Sequence, residues 1–191
     1  MHAPELAYER DITQRKTMKI PFFTIRFAAC AMLAFFSPWT LAQTCVAGIQ
    51  ASNPTSVYVV DSVNGTVTDT RTGLMWDRCA LGQSGVVCAT GTASGLDWQG
   101  ALNAAATVGS YKGYNDWRLP NLKEVRSLVE ECRINPSINE FAFPNTTYYF
   151  WAGSPSVGGA ADAWLVSFFA GWAFPQSRSN FYRVRLVRAG Q

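Results

Sequence analysis

Residues 113–129 read GYNDWRLPNLKEVRSLV, and this stretch decides the fold of the chain. A polar, aromatic loop passes through Pro120 to Asn121, a residue type that commonly caps the N-terminus of a helix. Glu124, three positions later, completes the pattern of a capping box. Apolar residues then recur at helical spacing as far as Cys132, which indicates one core-facing side. The other side is expected to face solvent and carries Lys123, Glu124, Arg126, Ser127, Glu130 and Glu131.

The N-terminal part of the chain has the composition of an export signal. A positively charged stretch precedes an apolar run at residues 27–36, and small residues end at Ala42, the expected cleavage position. The run is too short for a membrane-spanning helix, which needs about 20 apolar residues. Residues 18–42 are therefore predicted to be a signal peptide, and residues 1–17 an overlong start.

Export and removal of the signal peptide determine where the mature chain is located and how long it is. The mature chain is predicted to be periplasmic, secreted or held at the cell surface, without a transmembrane segment. A lipid anchor at Cys30 or Cys45 is the alternative, although neither cysteine follows a good lipobox. The remaining 149 residues suit one domain. We expect an irregular lead-in at residues 43–56 and a single domain at residues 57–191.

The charge of the mature chain argues against one class of partner. The full sequence carries 16 basic and 13 acidic residues, but five of the basic and three of the acidic residues lie before residue 43. The mature chain therefore has a net charge of +1, unlike the strongly basic surface of a nucleic-acid-binding protein. No nucleic acid partner is expected.

Four cysteines remain after removal of the signal peptide, and an even number in a small exported domain favours two disulfides. Three pairings are open to Cys45, Cys79, Cys88 and Cys132. A local bond between Cys79 and Cys88 is favoured, which leaves Cys45 with Cys132. A metal site is disfavoured because the chain has no CxxC motif and its one histidine, His2, precedes the signal.

The rest of the sequence contains strand and turn signals around two helices. Asp97 is a suitable N-cap for a first helix at residues 98–108, with Gly109 at its C-terminal end. Short apolar or alternating segments bounded by turn residues predict strands. These strands are expected at residues 57–60, 66–69, 74–79, 150–154, 163–169, 172–177 and 182–188. Helices that come early and antiparallel strands that come late indicate an α+β fold.

Four spaced motifs resemble the Lcl C-terminal domain family of exported bacterial domains. They are residues 66–76 (TVTDTRTGLMW), the segment at 113–129, residues 149–155 (YFWAGSP) and residues 182–188 (YRVRLVR). More distantly, the Arg-Leu-Pro step and the closing strand resemble C-type-lectin-like and formylglycine-generating-enzyme-like folds. The resemblance implies a compact α+β domain, here disulfide-stapled, with two helices packed on antiparallel strands. It also implies an adhesive role, because some members bind sulfated glycans as trimers. An oligomer is one expectation, but this chain lacks the collagen-like repeat of some members.

Several motif residues are interpreted as structural. Pro120 stiffens the chain before the helix cap, and Leu119 is placed for the core. Arg118 suits fixed contacts to a carboxylate or to backbone carbonyls. Trp117 belongs to the same motif. Arg185 in the last strand is interpreted as an internal ion or a charge at the rim.

Aromatic and polar residues in loops and at strand turns are the binding candidates. Aromatic rings offer apolar faces to sugars, and cationic side chains bind sulfate or carboxylate groups. The ligand-binding candidates are Tyr111, Lys112, Tyr114, Asn115, Asp116, Trp172, Arg178 and Arg183, with Tyr148 and Phe174 as further projecting rings. Asn115 and Asp116 also have the chemistry of calcium ligands, but this region has few acids and an Asx turn explains the pair. No cofactor is expected, and calcium is the weaker alternative.

Catalytic residues are not expected. The mature chain has no histidine for general-base or triad chemistry, and two disulfides would leave no free thiol. A glycosidase that uses two distant carboxylates is the enzymatic alternative. The sequence therefore predicts an exported, non-catalytic module that binds a sulfated or neutral glycan or a cell-surface protein. The other alternative is a structural or assembly subunit of an exported complex.

Overall fold

A four-stranded and a three-stranded antiparallel sheet, a two-stranded ribbon and two short helices make up the computed structural model, which describes residues 44–190. The expected overlong start and signal peptide lie outside the described residues. The strands of the first sheet are β1 (Tyr58–Asp61), β2 (Thr66–Asp69), β3 (Leu74–Asp77) and β9 (Val187–Ala189). They are hydrogen-bonded in the order β1-β2-β3-β9, and each pair is antiparallel. The mixed helix and strand content confirms the α+β class.

Local turn chemistry closes the two hairpins of this sheet. The carboxylate of Asp61 accepts hydrogen bonds from the backbone N–H groups of Val63 and Asn64, each 3.0 Å long, in the β1–β2 turn. Gly73 has a φ of +69° in the β2–β3 turn, a backbone conformation that suits glycine. Its N–H donates to the carbonyl of Asp69 at 2.8 Å. The strands predicted at residues 66–69 and 74–79 therefore form this hairpin, although the second ends at Asp77.

The second sheet consists of three consecutive strands near the C-terminus. A two-stranded ribbon, β4 (Gln83–Ser84) and β5 (Thr90–Gly91), precedes it and was not predicted. The sheet itself contains β6 (Tyr149–Pro155), β7 (Asp162–Ser167) and β8 (Trp172–Ser177), all antiparallel. Pro175 lies in β8, and a proline without an N–H group fits the outer strand of a sheet.

The first helix, α1 (Trp98–Thr107), begins where the sequence predicts. Asp97 is the N-cap, and its side chain accepts the N–H of Gly100 at 2.6 Å. Ala101 and Ala105, four residues apart, lie on the buried side. Their small side chains let the helix lie close to the sheet.

The second helix, α2 (Leu122–Ser127), has the expected capping box but is shorter than predicted. Asn121 accepts the N–H of Glu124 at 3.0 Å, and the Glu124 carboxylate accepts the N–H of Asn121 at 2.8 Å. The prediction that this helix continues to Cys132 is wrong. After Ser127 the backbone leaves helical hydrogen bonding, because the N–H of Glu130 donates to the carbonyl of Ser137 at 3.0 Å.

Glu130 corrects a second expectation from the sequence. It was expected on a solvent-facing helix side, but it is completely buried. Its carboxylate accepts the backbone N–H groups of Ser52 and Asn53, each at 2.8 Å, and the Ser52 hydroxyl at 2.9 Å. Because the helix has already ended, this side chain points into the lead-in segment and fixes it to the rest of the fold.

The last segment is not the continuous strand predicted at residues 182–188. Regular pairing is confined to β9, and the preceding residues pass between the two sheets. On one side the N–H of Arg183 donates to the carbonyl of Tyr149, and the carbonyl of Arg183 accepts from Trp151. On the other side the carbonyl of Leu186 accepts the N–H of Asp77 in β3 at 2.9 Å. The segment therefore joins the two sheets through its main chain.

Two apolar clusters form the core. The first includes Trp76, Phe143, Phe150 and Phe168, and the second includes Trp117, Trp151, Leu165 and Leu186. Burial of one such side chain is worth about 1.5–3 kcal/mol. In the part of the chain that the structure describes, no helix is long and apolar enough to span a membrane.

Two disulfides cross-link the fold. They join Cys79 to Cys88 and Cys45 to Cys132, which is the pairing that the sequence favours. The second bond attaches the lead-in, which has no regular element before a short 3-10 helix at Thr55–Val57. The lead-in is therefore held by a covalent bond as well as by Glu130.

Candidate ligand-binding site

The predicted binding residues at 111–116 form one tight turn. Tyr111 and Tyr114 exchange backbone hydrogen bonds of 2.8 and 3.0 Å. Lys112 and Gly113 between them both have positive φ angles, 51° and 82°. The indole N–H of Trp117 donates to the carbonyl of Tyr111 at 2.7 Å. The turn is thus fixed from inside by the motif that follows it.

Lys112 points inward from this turn. Its ammonium group donates to a carboxylate oxygen of Asp77 at 2.6 Å and to the carbonyl of Gly65 at 2.7 Å. Only 15% of the side chain is exposed. Burial, followed by the negative charge of Asp77, raises the pKa of the neighbouring Tyr111 hydroxyl. Lys112 is therefore the ion-pair partner of Asp77 and does not project beside the exposed rings.

Asp116 already forms an ion pair with an arginine of the protein, Arg188. Its carboxylate accepts a hydrogen bond from Nε of Arg188 at 2.6 Å, and this bond holds the pKa of Asp116 below its usual value. The Arg188 guanidinium also lies 3.9 Å from the centre of the Tyr114 ring. Asn115 is exposed. The pair Asn115 and Asp116 thus brings one committed carboxylate and one amide, too few oxygen ligands for the six to eight that calcium takes.

A second cluster of acidic and sulfur groups also fails as a metal site. Within residues 44–190, Cys45, Glu130 and Cys132 are the group whose ligand atoms approach within 4.8 Å of one another. The two cysteines form a disulfide, so neither offers a thiolate. Glu130 is already hydrogen-bonded to Ser52 and Asn53.

Exposed aromatic rings, together with the half-buried rings of Phe174 and Tyr182, gather on the second sheet, and we name this set the aromatic face. It consists of Tyr148, Tyr149, Phe169, Trp172, Phe174 and Tyr182. Ser167 in β7 pairs with Tyr149 on one side and with Trp172 on the other. Directly opposed residues share a face of the sheet, so Tyr149 and Trp172 lie on the same side. Phe174 follows Trp172 by two positions and points the same way.

Ring contacts connect most of the aromatic face. The centre of the Tyr148 ring lies 5.5 Å from that of Phe169 and 6.2 Å from that of Tyr149. Tyr149 in turn lies 6.2 Å from Phe174 and 5.5 Å from Tyr182. Trp172 is the most open member, with 67% of its surface exposed. Connected rings of this kind hold one another in place and leave a firm apolar surface.

The two predicted arginines lie at different places. Arg178 stacks over Trp98 at 4.4 Å and donates from Nε to the carbonyl of Asp162 at 3.1 Å. Arg183 is bound through its backbone to Tyr149, and its buried Nε has no acceptor among the described residues. No hydrogen bond, ion pair or ring contact within residues 44–190 joins the aromatic face to the turn at 111–116. The structure thus divides the predicted candidates into two groups.

The structural interpretation of the WRLP motif fits its surroundings. Trp117 and Leu119 are buried. Arg118 makes two parallel hydrogen bonds to the Glu124 carboxylate, 2.6 and 2.7 Å long. Pro120 is buried directly before the helix cap. A shallow cleft of about 280 Å³ is lined by Trp117, Arg118 and Leu119 of the motif and by Leu102 and Ala105 of α1.

Sequence reasoning missed part of the aromatic face. Tyr149, Phe169 and Tyr182 were assigned to strands or loops without a binding role. A partial signal was present, because Tyr149 directly precedes Phe150 and adjacent side chains in a strand point to opposite sides of the sheet. The predicted strand began at Phe150, one residue too late to show this alternation.

A family model for the Lcl C-terminal domain matches residues 65–188, more than half of the chain. Its description names no chemical reaction. A search of curated proteins finds no significant match. The match spans the hairpin, both helices and the second sheet, and the chain therefore belongs to the Lcl C-terminal domain family.

Proposed function

We propose that this protein is an exported, non-catalytic binding module that holds a glycan, sulfated or neutral, on its aromatic face. The observation that carries this proposal is the connected, exposed row of rings from Phe169 through Tyr148 and Tyr149, with Trp172 beside it. Contiguous exposed apolar surface on a soluble domain commonly marks an interaction site.

The chemistry of these residues suits a sugar. Sugar rings have apolar C–H faces that stack on aromatic rings, and hydroxyl groups that bond to polar neighbours. Tyr148, Tyr149 and Tyr182 each combine a ring with a hydroxyl group.

The non-catalytic part of the proposal is supported by the state of the carboxylates. Asp77, Asp116 and Glu124 are paired with cations at 2.6 Å. Glu130 is buried and bonded to main-chain N–H groups. A general acid or base needs a free group within reach of the substrate, and these four are engaged within the protein.

Export is supported by the two disulfides, since such bonds persist in oxidising compartments. We also propose that the fold is of the C-type-lectin-like or formylglycine-generating-enzyme-like kind. Its two helices, its antiparallel sheets and the long irregular segment between α2 and β6 support this assignment.

An alternative is a structural or assembly subunit, and the same rings support it. Trp172 and Phe169 could pack on a second protein as well as on a sugar, because aromatic residues are enriched at protein interfaces. Adhesion to a cell-surface protein belongs to the same alternative. Co-purification of a stoichiometric partner from the exported fraction would favour it.

Glycan binding by the purified protein tests the main proposal. Arrays of sulfated and neutral glycans should give binding that Trp172→Ala or Tyr148→Ala weakens at least tenfold. Phe181→Ala is the matched control, because Phe181 is also exposed (69%) but lies outside the aromatic face. No glycan signal, or equal losses in all three variants, would reject the proposal.

A further inference from the structure

The chain carries a second concave surface, distinct from the aromatic face. A cleft of about 370 Å³ lies between the β1–β2 turn and the loop closed by the Cys79–Cys88 disulfide. Ser62 and Val63 line it from the turn, and Ser84 lines it from the loop. This volume is within the range of small-molecule sites, about 300–1,000 Å³.

Both walls of the cleft are held by bonds inside the protein. On one wall, Asp61 accepts hydrogen bonds from the backbone N–H groups of Val63 and Asn64 and from the Asn64 amide at 2.7 Å. On the other, the Arg78 guanidinium donates to the carbonyl of Val86, a lining residue, and the disulfide closes the loop. A preformed cleft loses little entropy when a ligand binds.

Lys112 also lines the cleft and has one unused hydrogen-bond donor. Two of the three N–H bonds of its ammonium go to Asp77 and Gly65. The third has no hydrogen-bond acceptor within residues 44–190, although the ammonium also lies 5.2 Å from the centre of the Tyr111 ring. The backbone of Lys112 has a φ of 51°, a region that non-glycine residues rarely adopt. Backbone strain of this kind persists where the position of a side chain matters.

Positive charge exceeds negative charge behind the cleft. Asp77 is fully buried and pairs with Lys112. Arg185, also buried, donates to the main-chain carbonyls of Asp77 and Arg78. Two cations, Lys112 and Arg185, thus lie beside one buried carboxylate, while Asp61 is hydrogen-bonded within the β1–β2 turn. Charges in a poorly solvated interior act strongly on neighbouring ions, so the excess favours an anion in the cleft.

We propose that this cleft binds the carboxylate group of a small molecule. The third N–H of Lys112 donates to a carboxylate oxygen, the hydroxyls of Ser62 and Ser84 bond to further polar groups, and Val63 covers an apolar part of the ligand. A sugar acid and an N-acylated amino acid both present this group. The site is separate from the aromatic face and does not depend on glycan binding there.

Titration of the isotope-labelled protein, followed by NMR, tests the proposal with sodium glucuronate, N-acetylglycine and glucose. We expect the two carboxylates, but not glucose, to shift the amide signals of Gly65, Gly85 and Val86, with millimolar dissociation constants. A lower dissociation constant for glucuronate identifies a sugar acid as the source, and the reverse order identifies an amino acid. Equal shifts with glucose, or no shift with either carboxylate, would overturn the proposal.

Variants at two exposed valines provide the matched control. Val63 lines the cleft and is 95% exposed, whereas Val157 lies outside it and is 103% exposed. Val63→Asp places a negative charge at the cleft and should weaken carboxylate binding at least tenfold, while Val157→Asp should leave it unchanged. Trp172→Ala should also leave it unchanged, so that failure of the aromatic face is distinguishable from failure of the cleft. Equal effects of the two aspartates would refute the site.

Discussion

The carboxylate of Glu130 accepts a 2.8 Å hydrogen bond from the backbone N–H of Asn53, a residue 77 positions earlier in the chain. Ser52 adds two further hydrogen bonds to the same carboxylate. Asn53 precedes the residues matched by the family model, 65–188. In this protein the domain therefore includes a lead-in that is fixed by a buried acid.

Replacing Glu130 with Gln should destabilise the protein, because a neutral amide cannot accept the same set of charge-assisted hydrogen bonds. We expect a loss of about 2 kcal/mol in the free energy of unfolding, since hydrogen bonds to charged groups contribute about 1.5–3 kcal/mol. Urea denaturation measures it. Glu131→Gln is the control, because Glu131 is exposed and its change should stay within about 0.5 kcal/mol. Equal losses of unfolding free energy in the two variants would show that the buried hydrogen bonds of Glu130 do not stabilise the fold.

The stability of the protein should also depend on pH through Glu130. Burial acts to raise the pKa of this carboxyl, but hydrogen bonds from Asn53, Ser52 and Cys132 outweigh it and lower the pKa below its ordinary 4.5. A lowered native pKa gives stability that is present above pH 4.5 and lost as the pH falls through the native pKa. Unfolding midpoints measured from pH 7 downward should therefore fall in acid. Glu130→Gln should show a shallower fall, and parallel curves for the two proteins would contradict this.

The two disulfides should differ in their effect on stability. Cys45 and Cys132 are 87 positions apart, and Cys79 and Cys88 are 9 apart. In the chain-entropy model, removing the disulfide that closes the longer loop lowers the free energy of unfolding by about 4.5 kcal/mol. Removing the disulfide that closes the shorter loop lowers it by about 2.5 kcal/mol. Thermal unfolding of two double-alanine variants compares them directly, each serving as the control for the other. A larger loss for the Cys79–Cys88 pair would contradict the expected order.

Local chemistry made much of the fold predictable. The β2–β3 hairpin follows from alternating residues around Gly73, and the starts of both helices follow from Asp97 and Asn121. The end of α2 was not predictable in this way. It depends on Ser137, through a hydrogen bond from Glu130, and on a lead-in whose sequence looks irregular.

The sequence predicted which residue types occur at the candidate site, but not how their side chains are arranged. Trp172 and Tyr148 were expected to project, and both are exposed. Lys112 was expected to accompany them, but its direction is set by Asp77, 35 positions earlier. Nothing in the local sequence around Lys112 encodes that contact, because side-chain pairing across the fold is decided by tertiary structure.

Arg185 should be irreplaceable by lysine. It is buried, its guanidinium donates to the carbonyls of Asp77 and Arg78 and to the Thr146 hydroxyl, and it lies 4.9 Å from the Phe143 ring centre. Burial lowers the pKa of Arg185 to about 10, so it stays charged at neutral pH.

Arg185→Lys keeps the charge but loses the planar fork, which leaves buried acceptors unpaired. An unsatisfied buried polar group costs about 1–3 kcal/mol, so we expect a loss of about 2 kcal/mol in guanidinium chloride denaturation. Arg126→Lys, on the exposed side of α2, should change the unfolding free energy by less than about 0.5 kcal/mol. Equal unfolding free energies for Arg185→Lys and the unmodified protein would show that the charge of Arg185 is sufficient and that its planar hydrogen-bond geometry is not required.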